Sequence, residues 1–403
     1  MTSAATPQAA THRAAIDRAP TLARERRPIV IWLAMVATMV FAMVVIGGIT
    51  RLTESGLSIV EWQPFAGILP PLNEADWQVL FDQYRGSPEY LKLKTGMSLA
   101  AFKEIFWWEY IHRVWGRLIG LAFLLPFIWF AWTGRLERSI WPRLALLFVL
   151  GGLEGALGWW MVKSGLADDP YVSQYRLAAH LGLAILIYGA LLWTAFGLAQ
   201  PHAVKPPSAP RLRRAAWLLV ALVFTTIISG AFVAGLDAGT IMNTFPLMDG
   251  RLVPEDYWLI EPPVWNLFEN PIAVQFDHRL LASITVLAAI ALWLATRSAG
   301  ATDGAKRQAS LMLLVVLVQA GLGIATLLTM VPISLGALHQ AGAVLLLTFT
   351  LWTAHELYRP APPAVARREP AKAAGTAGPA PSQPAASAAS SGTVPDGLPQ
   401  PTA

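Results

Sequence analysis

The sequence predicts an all-α polytopic membrane protein: eight transmembrane helices arranged as two tandem, pseudo-twofold-related four-helix bundles, with both termini cytoplasmic. Three observations predict it. The 403 residues are 55% hydrophobic and only 14% charged, with a mean hydropathy of +0.49, whereas a soluble domain carries roughly 25% charged residues. Eight apolar runs reach the roughly 20 residues a helix needs to cross the hydrocarbon core. The last four runs echo the first four, the mark of a tandem duplication.

In chain order the spans are expected at roughly 29–50, 107–132, 142–162, 174–199, 214–236, 273–296, 308–330 and 334–357. Residues 1–27 are expected to form a cytoplasmic N-terminal tail. They lack the apolar core and cleavage site of a signal peptide, and Asp17 and Glu25 are unusual for a transit peptide. Residues 28–199 then form the first bundle and 214–357 the second, joined by a cytoplasmic linker at 200–213. From 358 to 403 the chain is dominated by Ala, Pro, Ser and Gly, too poor in large apolar side chains to bury a core, and is expected to be disordered. The connections between spans one and two and between five and six are longer than compact loops normally run, and both are expected to face outward over the site.

The formal net charge is +5, but the basic residues sit in particular loops rather than on a soluble face, which argues against nucleic acid as a partner. Arg24, Arg26 and Arg27 precede the first span, Arg135, Arg138 and Arg143 follow the second, and Arg211, Arg213 and Arg214 precede the fifth. By the positive-inside rule these are the cytoplasmic loops, and a bacterial inner membrane is expected in preference to a mitochondrial one. There is no cysteine. Disulfides, thiolate ligands, iron–sulfur clusters and covalently attached c-type haem are therefore excluded.

The internal repeat is densest at polar positions. Gly47-Gly48 through Glu54-Ser55-Gly56 resembles Ser229-Gly230 through Asp237-Ala238-Gly239, and Glu109-Tyr-Ile-His112-Arg113 matches Gln275-Phe-Asp-His278-Arg279. Glu154-Gly-Ala-Leu-Gly158 matches Gln319-Ala-Gly-Leu-Gly323, and His180 and His339 then open spans four and eight. An even number of spans per repeat relates the halves by an axis along the membrane normal.

His112, His180, His278 and His339 are each expected about five residues inside the outer end of an even-numbered span, at one depth, while His12, His202 and His355 fall in tails or loops. An ionisable group within a span is costly and marks function, although a lone one can simply bridge helices. Repetition at matched positions favours ligation. Two histidines on facing helices can clamp a macrocycle through both axial sites of its iron. A single zinc site, which needs three or four converging ligands, fits two ligands per half less well.

Arg113 and Arg279 follow their histidines and could pair with haem propionates, or simply snorkel to the interface. Glu109, three residues before His112, lies on the same helix face; its counterpart is Gln275. A carboxylate can move protons or stabilise positive charge and an amide cannot ionise, so the first half is the candidate for catalysis, with a structural pairing of Glu109 and Arg113 as the alternative. Glu154 against Gln319 repeats the asymmetry more weakly.

These stretches, with Trp62-Gln-Pro-Phe-Ala-Gly-Ile-Leu-Pro-Pro71 and Asn243-Thr-Phe-Pro246, resemble the haem A synthase family over nearly all of 28–357. The resemblance implies oxidation of the C8 methyl of haem O to a formyl through hydroxylated intermediates, for cytochrome oxidase. It implies haem O on His112 and His180 near Glu109, and haem b between His278 and His339, with Arg113 and Arg279 beside the haems. It also implies haem O synthase (protohaem farnesyltransferase) and cytochrome oxidase assembly factors as partners, membrane lipid around the chain, an electron acceptor or donor, and possible homo-oligomers. Some relatives carry a cysteine pair in the first outer loop; this chain is similar to the cysteine-free subgroup. Competing classes are a quinol-linked di-haem electron carrier, which needs no carboxylate beside a ligand, and a haem transporter.

Overall fold

The computed structural model describes residues 7–61, 69–167, 170–200, 210–298 and 301–359, with side chains from residue 24 onward. Residues 201–209 of the expected linker, most of the Trp62–Pro71 segment and the expected disordered tail from 360 lie outside the described residues. The helices are α1 (Pro7–Leu52), α2 (Glu74–Arg85), α3 (Pro88–Leu93), α4 (Leu99–Trp132), α5 (Trp141–Gly165), α6 (Gln174–Ala199), α7 (Pro210–Gly235), α8 (Asn266–Glu269), α9 (Pro271–Ser298), α10 (Asp303–Leu328) and α11 (Ile333–Glu356).

Eight of these, α1, α4 to α7 and α9 to α11, are long and apolar enough to cross a membrane. Without water to satisfy backbone groups, a helix is the form in which a single segment pairs them all internally. Helix α1 begins at Pro7, so most of the segment expected as a tail continues the first span as helix. Helix α4 begins two turns before its expected span. Ser98 caps it by accepting from the Ala101 amide, and Phe102 and Phe106 pack with Trp77, Phe81, Tyr84 and Tyr90 in an aromatic cluster outside the span. Lys103 and Glu104 in those turns hid the helix from a hydropathy reading. The loop between the first two spans thus carries its own small core.

Within the first half, α1 packs on α4 and α6, and α5 packs on α4 and α6; within the second, α7 packs on α9 and α11, and α10 packs on α9 and α11. The histidine-bearing pairs α4/α6 and α9/α11 therefore stand at opposite corners of their rings. Between the halves, α1 meets α11, α6 meets α7, and α6 meets α11. This set of packings is unchanged when the helices of one half are exchanged for those of the other. Hydrogen bonds stitch the seam: Tyr188 Oη to Thr348 Oγ1 at 2.8 Å, Gln340 Nε2 to the Val44 carbonyl at 2.9 Å, and Arg51 to Asp237 at 2.8 Å.

Leu121, Leu125, Val149, Leu153, Leu314 and Val318 point outward, as expected of a surface solvated by lipid tails. Indoles paired with cations mark the span ends: Arg135 over Trp129 at 4.8 Å, Arg176 over Trp160 at 4.4 Å and Arg297 over Trp293 at 5.2 Å. Amphipathic rings and cations settle there because each has one apolar and one polar neighbour.

At Gly48, a Cβ would collide with the Gln340 side chain that reaches back to the Val44 carbonyl, whereas a Cβ at Gly151 meets nothing within 4 Å. Gly48→Ala is expected to cost about 1–3 kcal/mol through the displaced hydrogen bond. Gly151→Ala should leave stability unchanged. Thermal unfolding of the detergent-purified protein distinguishes the two.

Candidate haem-ligand sites

Each of the four intramembrane histidines rests against a glycine on the neighbouring odd-numbered span. A Cβ built on Gly47 of α1 would lie 3.1 Å from His112 Cε1, one on Gly158 of α5 3.0 Å from His180 Cε1, one on Gly230 of α7 3.2 Å from His278 Cε1, and one on Gly323 of α10 2.7 Å from His339 Cε1. The missing side chain is what allows the ring to approach the helix. These glycines were visible in the repeat, but nothing local revealed what they face. The contacts also correct the repeat register by one residue. Gly47 corresponds to Gly230, not to Ser229, and with this register the positive-φ residues Glu54 and Asp237 coincide.

The ring nitrogens facing the protein are held by side chains from the same helices. His180 Nδ1 lies 2.9 Å from Glu154 Oε1, and a carboxylate can only accept. His278 Nδ1 lies 2.8 Å from Ser229 Oγ, whose own proton goes to the Thr226 carbonyl at 2.8 Å. The His278 ring therefore carries its proton on Nδ1, donated to Ser229 Oγ, and presents the Nε2 lone pair, the form that ligates a metal. Gln319 Nε2 lies 3.1 Å from His339 Nδ1 and donates to the His339 carbonyl at 2.8 Å.

The centroids of His278 and His339 are 6.4 Å apart with the rings at 87°. Two opposed metal–nitrogen bonds of about 2 Å, plus about 1 Å from each nitrogen to its ring centre, place axial imidazole centroids about 6 Å apart. The separation of His278 and His339 is compatible with two imidazoles on opposite sides of one iron. Among the described residues no three His, Cys, Asp or Glu converge as a metal-binding group, and the histidines are arranged in pairs.

Glu109 is 3% exposed and fully engaged. Its Oε2 accepts from Ser58 Oγ and the Ile59 amide, both at 2.7 Å, and its Oε1 accepts from Arg113 Nη2 at 2.6 Å. Arg113 also donates to the Ile59 carbonyl at 2.8 Å and the Glu61 carbonyl at 3.3 Å. The second half repeats this latch with opposite polarity. Gln275 Nε2 donates to the Ala238 and Ile241 carbonyls at 2.6 Å and its Oε1 accepts from Arg279 at 2.7 Å, while Arg279 donates to the Met242 and Thr244 carbonyls. Both arginines thus tie the loop after α1 or α7 to the histidine helix. Among the described residues Arg279 Nε is buried with no hydrogen-bond partner.

Two expectations change here. His112 sits thirteen residues into α4 rather than about five, because that helix begins at Leu99. His355 is not in a loop but in the last turn of α11, where it is 1% exposed and packs edge-on against Trp193 at 5.3 Å. The span expected at 334–357 already contained this position.

Fold and site together define a multi-pass membrane protein with four intramembrane histidines, two on the helices of each half. The chain belongs to the family described as cytochrome oxidase assembly protein, whose model matches residues 30–351, a range containing both pairs. It is similar to the "Heme A synthase" of Nitrosospira multiformis, 50% identical over 336 residues that cover 83% of this chain and 94% of the relative. It is 53% identical to the "Heme A synthase" of Rhodospirillum centenum over 339 residues, 84% of this chain and 90% of the relative.

A methyl group at position 323 overlaps the His339 ring, whereas one at Gly321 meets nothing within 4 Å. Gly323→Ala is therefore expected to weaken haem retention at the second pair on the order of tenfold, with Gly321→Ala unaffected. Haem-to-protein ratio and the low-spin absorbance of the purified protein report the difference.

Proposed function

We propose that this chain is a haem A synthase, oxidising the C8 methyl of haem O to a formyl through hydroxylated intermediates. The observation that carries the reading is about 50% identity to proteins of that name over more than four-fifths of the chain, across a range that includes both histidine pairs. In this reading His112 and His180 hold haem O as substrate and His278 and His339 hold a resident haem b. A haem b at the second pair supplies a one-electron redox centre. Burial of the rings against glycine and the Nδ1 contacts of His180 and His278 pre-orient them, so little reorganisation accompanies binding. Arg279 Nε is the donor best placed for a propionate at the second pair.

Glu109 is proposed as the carboxylate of the substrate half. Its latch closes the loop at Ser58 and Ile59 on the helix that carries His112, which shields the site from water, and its negative charge one turn from the ligand is the feature Gln275 lacks. The setting is a bacterial inner membrane, with haem O synthase supplying substrate, cytochrome oxidase assembly factors receiving product and a separate electron acceptor or donor. Surrounding lipid covers the exposed apolar faces.

The test is expression with a haem O synthase in a host lacking haem A, followed by chromatography and mass spectrometry of extracted haems. The native chain should yield haem A or its hydroxylated precursor, and His112→Ala or His180→Ala should abolish both. Glu109→Gln, which preserves shape, should lower haem A on the order of a hundredfold while haem content is retained. Only haem b, with haem O available, would overturn the reading in favour of an electron carrier.

A further inference from the structure

The two halves differ at a second position, and there the difference touches a ligand. Glu154 lies one helical turn before Gly158, the residue under the His180 ring, and its Oε1 is 2.9 Å from His180 Nδ1. Gln319 stands one turn before Gly323 and occupies the equivalent place beside His339. The electrostatic settings of the two acidic residues in the first half also diverge. Glu109 has its charge countered by Arg113 at 2.6 Å, whereas Glu154 has no ion-pair partner other than His180 among the described residues. Its side chain is 17% exposed, so the contact is only partly screened by solvent.

We propose that Glu154 is a positioning residue whose carboxylate, 2.9 Å from His180 Nδ1, makes the substrate-half imidazole a stronger electron donor than its counterpart in the second half. This rests on the reading that His112 and His180 hold haem O. A carboxylate beside Nδ1–H shifts electron density through the ring to Nε2, which stabilises the more positive, oxidised iron; an amide does so far less. The substitution between halves therefore sets the two iron centres at different reduction potentials by one side chain each. It also sets a negative group against the Nδ1 side of the His180 ring, which favours the form that presents Nε2. The sequence pairing of Glu154 with Gln319 is thus a functional divergence of the duplicated halves at a residue that contacts the ligand histidine.

The experiment is spectroelectrochemical titration of the purified protein loaded with haem O, comparing the native chain, Glu154→Gln and the reciprocal Gln319→Glu. Glu154→Gln should raise the reduced-to-oxidised ratio of the His112/His180 haem at least tenfold at a fixed ambient potential, a shift of about 59 mV for one electron. The second-site haem should not move. Gln319→Glu should shift the second-site haem in the opposite direction and leave the first alone. Electron paramagnetic resonance of the oxidised low-spin haem should change at the altered site only. Unchanged potentials and spectra in both variants, with haem O bound, would overturn the inference and leave Glu154 a helix-to-helix contact. Absence of any haem O spectrum that depends on His112 and His180 in the native chain would instead overturn the substrate-site reading, and this inference with it.

Discussion

A histidine ring can lie against a neighbouring helix only where that helix has no side chain, and this constraint organises the membrane core. Gly47, Gly158, Gly230 and Gly323 each receive an imidazole through its Cε1 edge. Replacing any one by a larger residue pushes the ring away from the helix that steadies it. Because lipid tails are as apolar as leucine, helix association in a bilayer depends on such close fits more than on burial. The same glycines that let helices approach therefore also fix where the ligand nitrogens stand.

Around this arrangement the packing repeats. The histidine helices occupy opposite corners of each four-helix ring and are held there by α1 and α5 in the first half and by α7 and α10 in the second. The halves then share a seam in which α6 and α11 are the central elements, tied by Tyr188 and Thr348. The sites are consequently parts of one compact body rather than of two separable domains.

Beside the aromatic packing of the first loop on α4, charge and amide chemistry binds the loops after α1 and α7 to the histidine helices. Glu109 and Gln275 perform the same latching task with reversed polarity, one accepting from a backbone amide and a hydroxyl, the other donating to two carbonyls. Arg113 and Arg279 complete each latch by donating to loop carbonyls. Duplicated segments can thus keep a geometry while exchanging a group that ionises for one that does not.

Eight spans, the duplication, the four matched histidines and the Glu109/Gln275 asymmetry were all determined by the chain itself, because hydropathy, helical spacing and self-similarity are local properties. The early start of α4 was not legible, since Lys103 and Glu104 mask a helix stabilised by an aromatic cluster with residues from 77 to 90. Nor were the glycine seats, the Ser229 and Glu154 contacts to histidine nitrogens, or the full commitment of Glu109 to its loop. Those depend on how each helix is rotated and crossed against its neighbours. Rotation and crossing are set by contacts among residues up to hundreds of positions apart, such as Gln340 with Val44, and only the tertiary structure decides them.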